Sequence, residues 1–528
     1  MKHQLRNPLL SGFYPDPSIC RKGGDYYMVT STFEYFPGVP VFHSTDLVHW
    51  HQIGHCLDRV SQCNLDGLAC SKGIYASTIR YHEQQDKFYM VTTLVKNEPY
   101  WTNVNFFVTA NDPAGPWSEP VIIHGAVGID PSLLFDDDGK AYYVGNMRPH
   151  PDDSTCMNRH IWLQEIDLES GALLGEKTIL RTDGAYYHAE CPEGPHLYKI
   201  NHWYYLMIAE GGTNLNHSAT IFRSRTIQGP YEENPRNPLI THRHLHRDQE
   251  MNSPGHADLI ETQNGEWWAV LLGSRPVGSI RRGNMGRETF AVPVIWEEDW
   301  PVFSPHSGLV EASFPAPNLP VQHWHDSAAC DQFESEKLSL CWTMLRTPRQ
   351  KLYSLCDRPG YLRLFLNSAS LKDAASPAFL CRRQSHKNFA VRTKMEFSPQ
   401  SEKDSAGVAV YMSDNYHFRM EFMLYDGNRS LILTRRFAGK DQVLCSIPCP
   451  ANPLWLKVLG REQDYSFYYA TGAEEWLPLA ENVDGSLLSM EVAGGFTGTM
   501  IGLYASSNGV ASNTTADFDW FEYHEIQP

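Results

Sequence analysis

The apolar positions of the first three hundred residues fall into short aromatic-rich runs, and the runs recur. Tyr26-Tyr27-Met28-Val29, Phe88-Tyr89-Met90-Val91, Tyr142-Tyr143-Val144, Tyr204-Tyr205-Leu206-Met207 and Trp267-Trp268-Ala269-Val270 have strand length and are too short for helices. Polar turns precede them, among them Arg21-Lys22-Gly23-Gly24, Asp136-Asp137-Asp138-Gly139, Ile200-Asn201-His202 and Gln263-Asn264-Gly265, of the kind that folds two strands into a tight hairpin. Ahead of each turn stands a lead-in: Asp16-Pro17-Ser18, Tyr75-Ala76-Ser77, Asp130-Pro131-Ser132, Glu193-Gly194-Pro195 and His256-Ala257-Asp258. The lead-ins lie roughly 55 to 65 residues apart, a period that signals repeated units. Three units end alike, at 44–50, 111–117 and 225–231, in segments that read as structural corners. Five units of short antiparallel strands predict a five-bladed β-propeller over residues 1–304.

The pattern then changes. Residues 305–328 are dense in proline, centred on Phe314-Pro315-Ala316-Pro317-Asn318-Leu319-Pro320, and read as a linker or an extended strap. Over 329–528, segments such as Tyr361-Leu362-Arg363-Leu364-Phe365 and Ala406-Gly407-Val408-Ala409-Val410-Tyr411 alternate at strand spacing without a long helix, which predicts a β-sandwich. The fold class is therefore all-β.

Composition narrows the partners. A chain of 528 residues with net charge -17 suits a neutral partner and neither nucleic acid nor an anionic membrane. No apolar run is long enough to span a bilayer, and the stretch from Met1 to Pro8 lacks a signal-peptide core. Twelve cysteines without a paired Cys-x-x-Cys pattern read as free thiols of a cytoplasmic protein. Asp136-Asp137-Asp138-Gly139 fits a hairpin turn better than a cation loop, since the later glutamate is missing. His242-Arg243-His244-Leu245-His246, with basic residues interleaved, reads as a solvated loop.

Candidate chemistry follows from the repeat. If each lead-in forms the innermost strand, Asp16, Tyr75, Asp130, Glu193 and His256 converge at one end of the central channel. Asp16 stands between Pro15 and Pro17, whose rings restrict the backbone and bias the residue before each toward an extended form. Three gathered carboxylates predict at least one raised pKa. A protonated carboxyl facing an ionised one is what cleavage of a glycosidic bond requires.

The motifs Phe13-Tyr14-Pro15-Asp16-Pro17-Ser18, Gly128-Ile129-Asp130-Pro131-Ser132-Leu133, Pro192-Glu193-Gly194-Pro195-His196, Gly255-His256-Ala257-Asp258, Gly286-Arg287-Glu288-Thr289 and Gly494-Gly495-Phe496-Thr497-Gly498, in this order, resemble glycoside hydrolase family 43. The likeness is to its two-domain β-xylosidases and α-L-arabinofuranosidases, whose second domain is a concanavalin-like or lectin-like jelly roll. The resemblance implies an inverting exo-hydrolase of terminal β-D-xylosyl or α-L-arabinofuranosyl residues, with Asp16 as general base, Glu193 as general acid and Asp130 tuning the acid. An ionised Asp130 is expected to keep Glu193 protonated. Glu190, three residues earlier, is the rival acid but lacks the motif around it.

Phe33 and Tyr75 are candidate pocket walls, although many xylosidase relatives carry Trp-Ala-Pro-Asp where this chain reads Tyr75-Ala76-Ser77-Thr78. Phe496 either closes the pocket from the sandwich or packs in its core. Arg287 either binds sugar hydroxyls or forms an interblade ion pair. His256 lies under the sugar, beside Asp16, near an axial ion or as a neutral core histidine. No cofactor is required; some relatives place a divalent cation on the axis, which leaves calcium as a candidate there. The expected partner is an oligosaccharide, with a homo-oligomer left open. The alternatives are a retaining fructosidase on the same plan, which wants an arginine where Ile129 stands, and a noncatalytic sugar-binding propeller.

Overall fold

A computed structural model of the protein describes residues 3–527 apart from 98–101, 151–156, 187, 247–248, 279–280, 323, 325–328, 450 and 473–474. Each recurring unit folds as one antiparallel sheet of contiguous chain. Blade 1 is built from Ser18–Lys22, Asp25–Val29, Gly38–Ser44 and His51–Leu57, and blade 2 from Thr78–His82, Lys87–Val95, Val104–Ala110 and Val121–Ile122. Blade 3 runs Ile129–Phe135, Ala141–Met147, His160–Ile166 and Leu173–Arg181, and blade 4 Glu193–Ile200, Trp203–Glu210, Ser218–Ser224 and Glu232–Glu233. Blade 5 has Asn252–Glu261, Trp267–Ser274, Glu288–Glu297 and Trp300–Phe303. The lead-in strand is innermost in every blade and touches the innermost strands of both neighbours, closing a ring around the axis.

The aromatic runs are the second strands, and they bury side chains on both faces because another blade lies on either side. Met28, Val91, Tyr143, Leu206 and Val270 are all buried. The three corners share a device in which the terminal aromatic donates back to a carbonyl: Trp50 Nε1 to Leu47 O at 3.1 Å, Trp117 Nε1 to Pro113 O at 3.2 Å, and Tyr231 OH to Ile227 O at 3.0 Å.

The proline-rich segment lies along the propeller. Ser313–Pro315 pairs with Gln4–Arg6, Asn318 N–H donates to Glu266 and Gln322 N–H to Asp46. Positions 323 and 325–328 of the expected linker lie outside the described residues.

The C-terminal part forms two stacked sheets. One orders 353–354, 362–365, 515–525, 388–397, 454–461, 464–470 and 477–484, with 330–331 also on the 515–525 strand. The other orders 440–448, 428–437, 416–425, 405–413, 500–506, 378–383 and 343–345. Its last strand belongs to the propeller: Tyr35–Phe36, leaving blade 1, pairs with Thr343–Leu345. Arg346, fully buried at this seam, takes Glu34 O on its backbone N–H at 2.7 Å, Leu68 O on Nε at 2.6 Å and Asp414 on Nη2 at 2.8 Å. A guanidinium with no access to water is tolerable because carbonyls and a carboxylate satisfy it. Hydrogen bonding thus runs across the boundary that the sequence pattern places at 304.

Candidate active site

Asp16 sits two residues before the innermost strand of blade 1, Asp130 is the second residue of that strand in blade 3, and Glu193 opens it in blade 4. Equivalent placement in equivalent blades brings them to one end of the channel. Their backbone differs from the extended form expected before proline: φ is 53° at Asp16 and 54° at Asp130, and His256 in blade 5 has 48°. The pairing registers break between Ile129 and Ser132, Glu193 and His196, and Gly255 and Asp258. Such bulges re-aim a side chain that a regular pleat would point into a neighbouring blade, and the strain they carry is concentrated at the site.

Asp16 is heavily partnered. Ser31 Oγ donates to its Oδ2 at 2.6 Å, Arg287 Nη1 to its Oδ1 at 2.9 Å, and His256 Nδ1 lies 3.6 Å from that same Oδ1. Burial would raise its pKa, but Arg287, His256 and Ser31 together outweigh burial and hold it below the ordinary value. Asp16 is therefore ionised at neutral pH. His256 is held neutral, because burial and Arg287 lower its pKa more than Asp16 raises it.

Asp130 and Glu193 behave oppositely. Burial, Glu193 and Asp16 drive the Asp130 pKa well up, against a hydrogen bond from the Gly194 N–H and the charge of Arg287; Asn146 Nδ2 donates to Asp130 Oδ2 at 3.2 Å. Glu193 is raised to about 7, chiefly by burial and further by Asp16, with Arg159 and Arg287 opposing. Asp130 is buried and Glu193 half-buried, and two interacting carboxyls of this kind titrate as a pair. The pair keeps a proton near neutrality, which differs from the expected charged Asp130 beside a protonated Glu193: burial acts on both groups. Gly194 links the two halves of the site. Its φ is 57°, and a Cβ there would stand 2.7 Å from His256 Nε2, so the neighbour of Glu193 packs directly on the histidine beside Asp16. Glu190 is exposed.

The wall is aromatic. Phe33 and Tyr75 have ring centroids 4.9 Å apart, and Phe496 from the sandwich stacks on Phe33 at 6.0 Å and meets Tyr75 edge-on at 6.1 Å. Arg287 lies 5.6 Å from the centroids of both phenylalanines and donates to Phe496 O at 3.4 Å. Its buried Nε has no hydrogen-bond partner. Arg287 and Phe496 also line a cleft of about 610 Å³ bounded by Asn214, Leu215, Asn252 and Glu491.

Deeper in the channel Arg80 donates to both Asp258 oxygens at 2.8 and 3.2 Å and approaches His196 Nδ1 at 2.9 Å, while Ser18 and Tyr198 donate to Asp258 at 2.7 Å. Although burial opposes it, Arg80 holds Asp258 ionised. An axial calcium needs oxygen ligands free of competing cations; here a guanidinium already neutralises the carboxylate, so these donors do not fit that ion. His242 is spoken for as well, with Nδ1 at 2.8 Å from Met251 O and Nε2 accepting from Val310 N–H at 3.0 Å. Among the described residues, His3, Asp46 and His49 have ligand atoms within 4.8 Å of one another, but Asp46 is engaged by the backbone N–H groups of Val48, His49 and Gln322. The Asp136 segment forms the expected hairpin turn, closed by Asp136 N–H to Lys140 O at 2.8 Å.

Reading the sequence missed Arg80, Asn146, Arg159 and Ser31 as partners of the carboxylates. A charged residue within an innermost strand was the available signal for Arg80.

An ionised carboxylate and a proton-holding carboxyl pair, gathered beside an aromatic wall at one end of a propeller, have the protonation that cleavage of a glycosidic bond requires. Comparison with known proteins agrees. Residues 5–301 match the family description "Glycosyl hydrolases family 43", and residues 330–524 match "Beta xylosidase C-terminal Concanavalin A-like domain". The chain belongs to glycoside hydrolase family 43. It is 40% identical to a xylosidase/arabinosidase of Butyrivibrio fibrisolvens, covering 98% of this chain and 99% of the relative. It is also 40% identical to a non-reducing end alpha-L-arabinofuranosidase of Bacteroides ovatus, over 98% and 94%. Among solved structures, a xylan beta-1,4-xylosidase from Bacillus halodurans superposes with a TM-score of 0.91 at 34% identity, covering 99% of this chain and 100% of that one.

Proposed function

We propose that the protein is an inverting exo-hydrolase that removes terminal β-D-xylosyl or α-L-arabinofuranosyl residues from xylo-oligosaccharides or arabinose-substituted oligosaccharides. The observation that carries this reading is the split in protonation: Asp16 ionised by Arg287, and the Asp130–Glu193 pair holding a proton. Asp16 takes a proton from water as that water attacks the anomeric carbon. Glu193 gives its proton to the leaving oxygen. Asp130 shares the acid's proton and, through the Gly194 N–H, fixes the strand that carries it. The orphan Arg287 Nε is a donor for a sugar hydroxyl, since a buried donor without a partner is costly unless a ligand satisfies it. The names of the relatives, xylosidase and arabinofuranosidase, support a pentose in the pocket.

Turnover of 4-nitrophenyl β-D-xylopyranoside and α-L-arabinofuranoside is expected on at least one member of the pair. Proton NMR of the first-formed sugar should show the inverted anomer. Retained configuration would favour the fructosidase-like mechanism, and binding without turnover of either glycoside would favour a noncatalytic propeller.

The reaction needs no divalent ion on this reading, because Arg80 supplies the positive charge at the axis. Dialysis against EDTA should leave kcat/KM within about twofold, well short of the several kcal/mol that a catalytic metal contributes. The described cysteines are free thiols, which supports the expectation of a reducing cytoplasmic setting.

A further inference from the structure

Ser71 lies on the loop between blades 1 and 2, and its backbone is left-handed, with φ 61°. Serine adopts that conformation at a cost which glycine escapes. A non-glycine residue there, almost wholly buried at 8% exposure, points to a use for its hydroxyl. Ser71 makes three hydrogen bonds here, one of them through the hydroxyl. The Glu34 carboxylate accepts the Ser71 N–H at 2.9 Å, the Ser71 carbonyl accepts the Tyr75 OH at 2.8 Å, and the Ser71 Oγ accepts the Phe496 N–H at 2.9 Å.

All three aromatic walls therefore meet at one residue. Phe33 is joined to it through the adjacent Glu34, Tyr75 through the carbonyl, and Phe496 through the hydroxyl across the seam between propeller and sandwich. The sandwich tip is shaped to admit that hydroxyl. At Gly495 a Cβ would lie 2.4 Å from Ser71 Oγ, and φ there is 82°. Glu34 is an unusual anchor. It is fully buried, its Oε1 has no hydrogen-bond partner, and burial raises its pKa to about 7 in spite of Arg346. A carboxyl kept under such conditions costs stability that a simple packing residue would not.

We propose that Ser71, anchored by Glu34, is a positioning residue that docks Phe496 of the sandwich against Phe33 and Tyr75, and so completes the wall of the sugar pocket. This rests on the reading of that pocket as the sugar site. Ser71 touches none of the reacting carboxyls, so its loss acts on how tightly the sugar is held and leaves proton transfer alone.

The test is Ser71→Gly, which removes the hydroxyl and at the same time relieves the left-handed strain, so that the variant folds at least as well as the wild type. KM should rise about five- to tenfold, the size of one lost positioning contact, while kcat falls less than KM rises. The alkaline limb of the pH profile and the Tm should not drop. Phe496→Ala should raise KM similarly, and the double variant should resemble Phe496→Ala alone, because Ser71 acts through Phe496. An unchanged KM in Ser71→Gly, or KM effects that multiply in the double variant, would overturn the proposal. The ratios are measured on whichever glycoside the wild type cleaves best, so a wrong choice of pentose fails in the wild-type substrate panel and leaves the Ser71 ratio readable.

Discussion

Glu193→Ala should lower kcat/KM for xylobiose by on the order of 10² to 10⁴, the span that a positioned general acid contributes. A sugar alkoxide is a poor leaving group and cannot depart without the proton Glu193 supplies. A dinitrophenyl pentoside, whose phenolate leaves unaided, should keep its rate within about tenfold of the wild type. The pH profile makes the assignment sharper. Burial raises Glu193 to about 7, so wild-type activity should fall as pH climbs through about 7 and the acid loses its proton. On the activated substrate that limb should vanish in the variant. Calorimetric binding of the free sugar should change little, because the glutamate is asked to move a proton more than to hold the ring. Unchanged turnover of xylobiose would remove Glu193 from the acid role and return attention to Asp130.

Asp16→Ala should be equally damaging, lowering turnover of every glycoside by about 10² to 10⁴ irrespective of leaving group, since water must lose a proton as it attacks. On the proposed mechanism the wild-type acid limb should belong to this residue. Asp16 is held below its ordinary pKa of 3.8, where Arg287, His256 and Ser31 outweigh burial, so activity should persist down to unusually acidic pH before protonation of Asp16 stops it. Azide offers the discriminating measurement. An anionic nucleophile needs no base: its nitrogen bonds to the anomeric carbon as the bond to the leaving oxygen breaks, and Glu193 protonates that oxygen. Asp16→Ala should therefore recover turnover with azide and yield the glycosyl azide of inverted configuration. Failure of azide to restore any turnover, or product of retained configuration, would take Asp16 out of the base role.

Much of this site was legible from sequence because the units that carry it are local. A turn such as Asp136-Asp137-Asp138-Gly139 followed by Tyr142-Tyr143-Val144 specifies a hairpin within about a dozen residues. Repetition of that unit marks the same structural position again and again. Asp16, Asp130 and Glu193 could be matched to one another for that reason, as could the aromatic second strands that bury both faces between blades. The same reasoning misjudged the backbone of Asp16. Proline biases its predecessor toward extended φ, yet φ is 53° at Asp16, just ahead of a strand with regular pairing, and 54° at Asp130, where the register breaks between Ile129 and Ser132, and no single residue announces either. It also could not assign the shared proton of Asp130 and Glu193, because that depends on how much water the finished fold excludes.

What the sequence by itself determined is the set of blades, the sandwich and the candidate acids, each encoded by neighbours in the chain. Only the tertiary structure decided how those acids are charged and how the pocket is closed. Asp16 meets Arg287, Arg80 meets Asp258, Tyr35–Phe36 joins a sheet made of residues beyond 340, and Ser71 receives Phe496. These partners are separated by hundreds of residues or belong to different blades and leave no periodic trace. Their energies arise from burial, where a charge or a donor must find its counterpart once water is gone, and burial is a property of the packed whole.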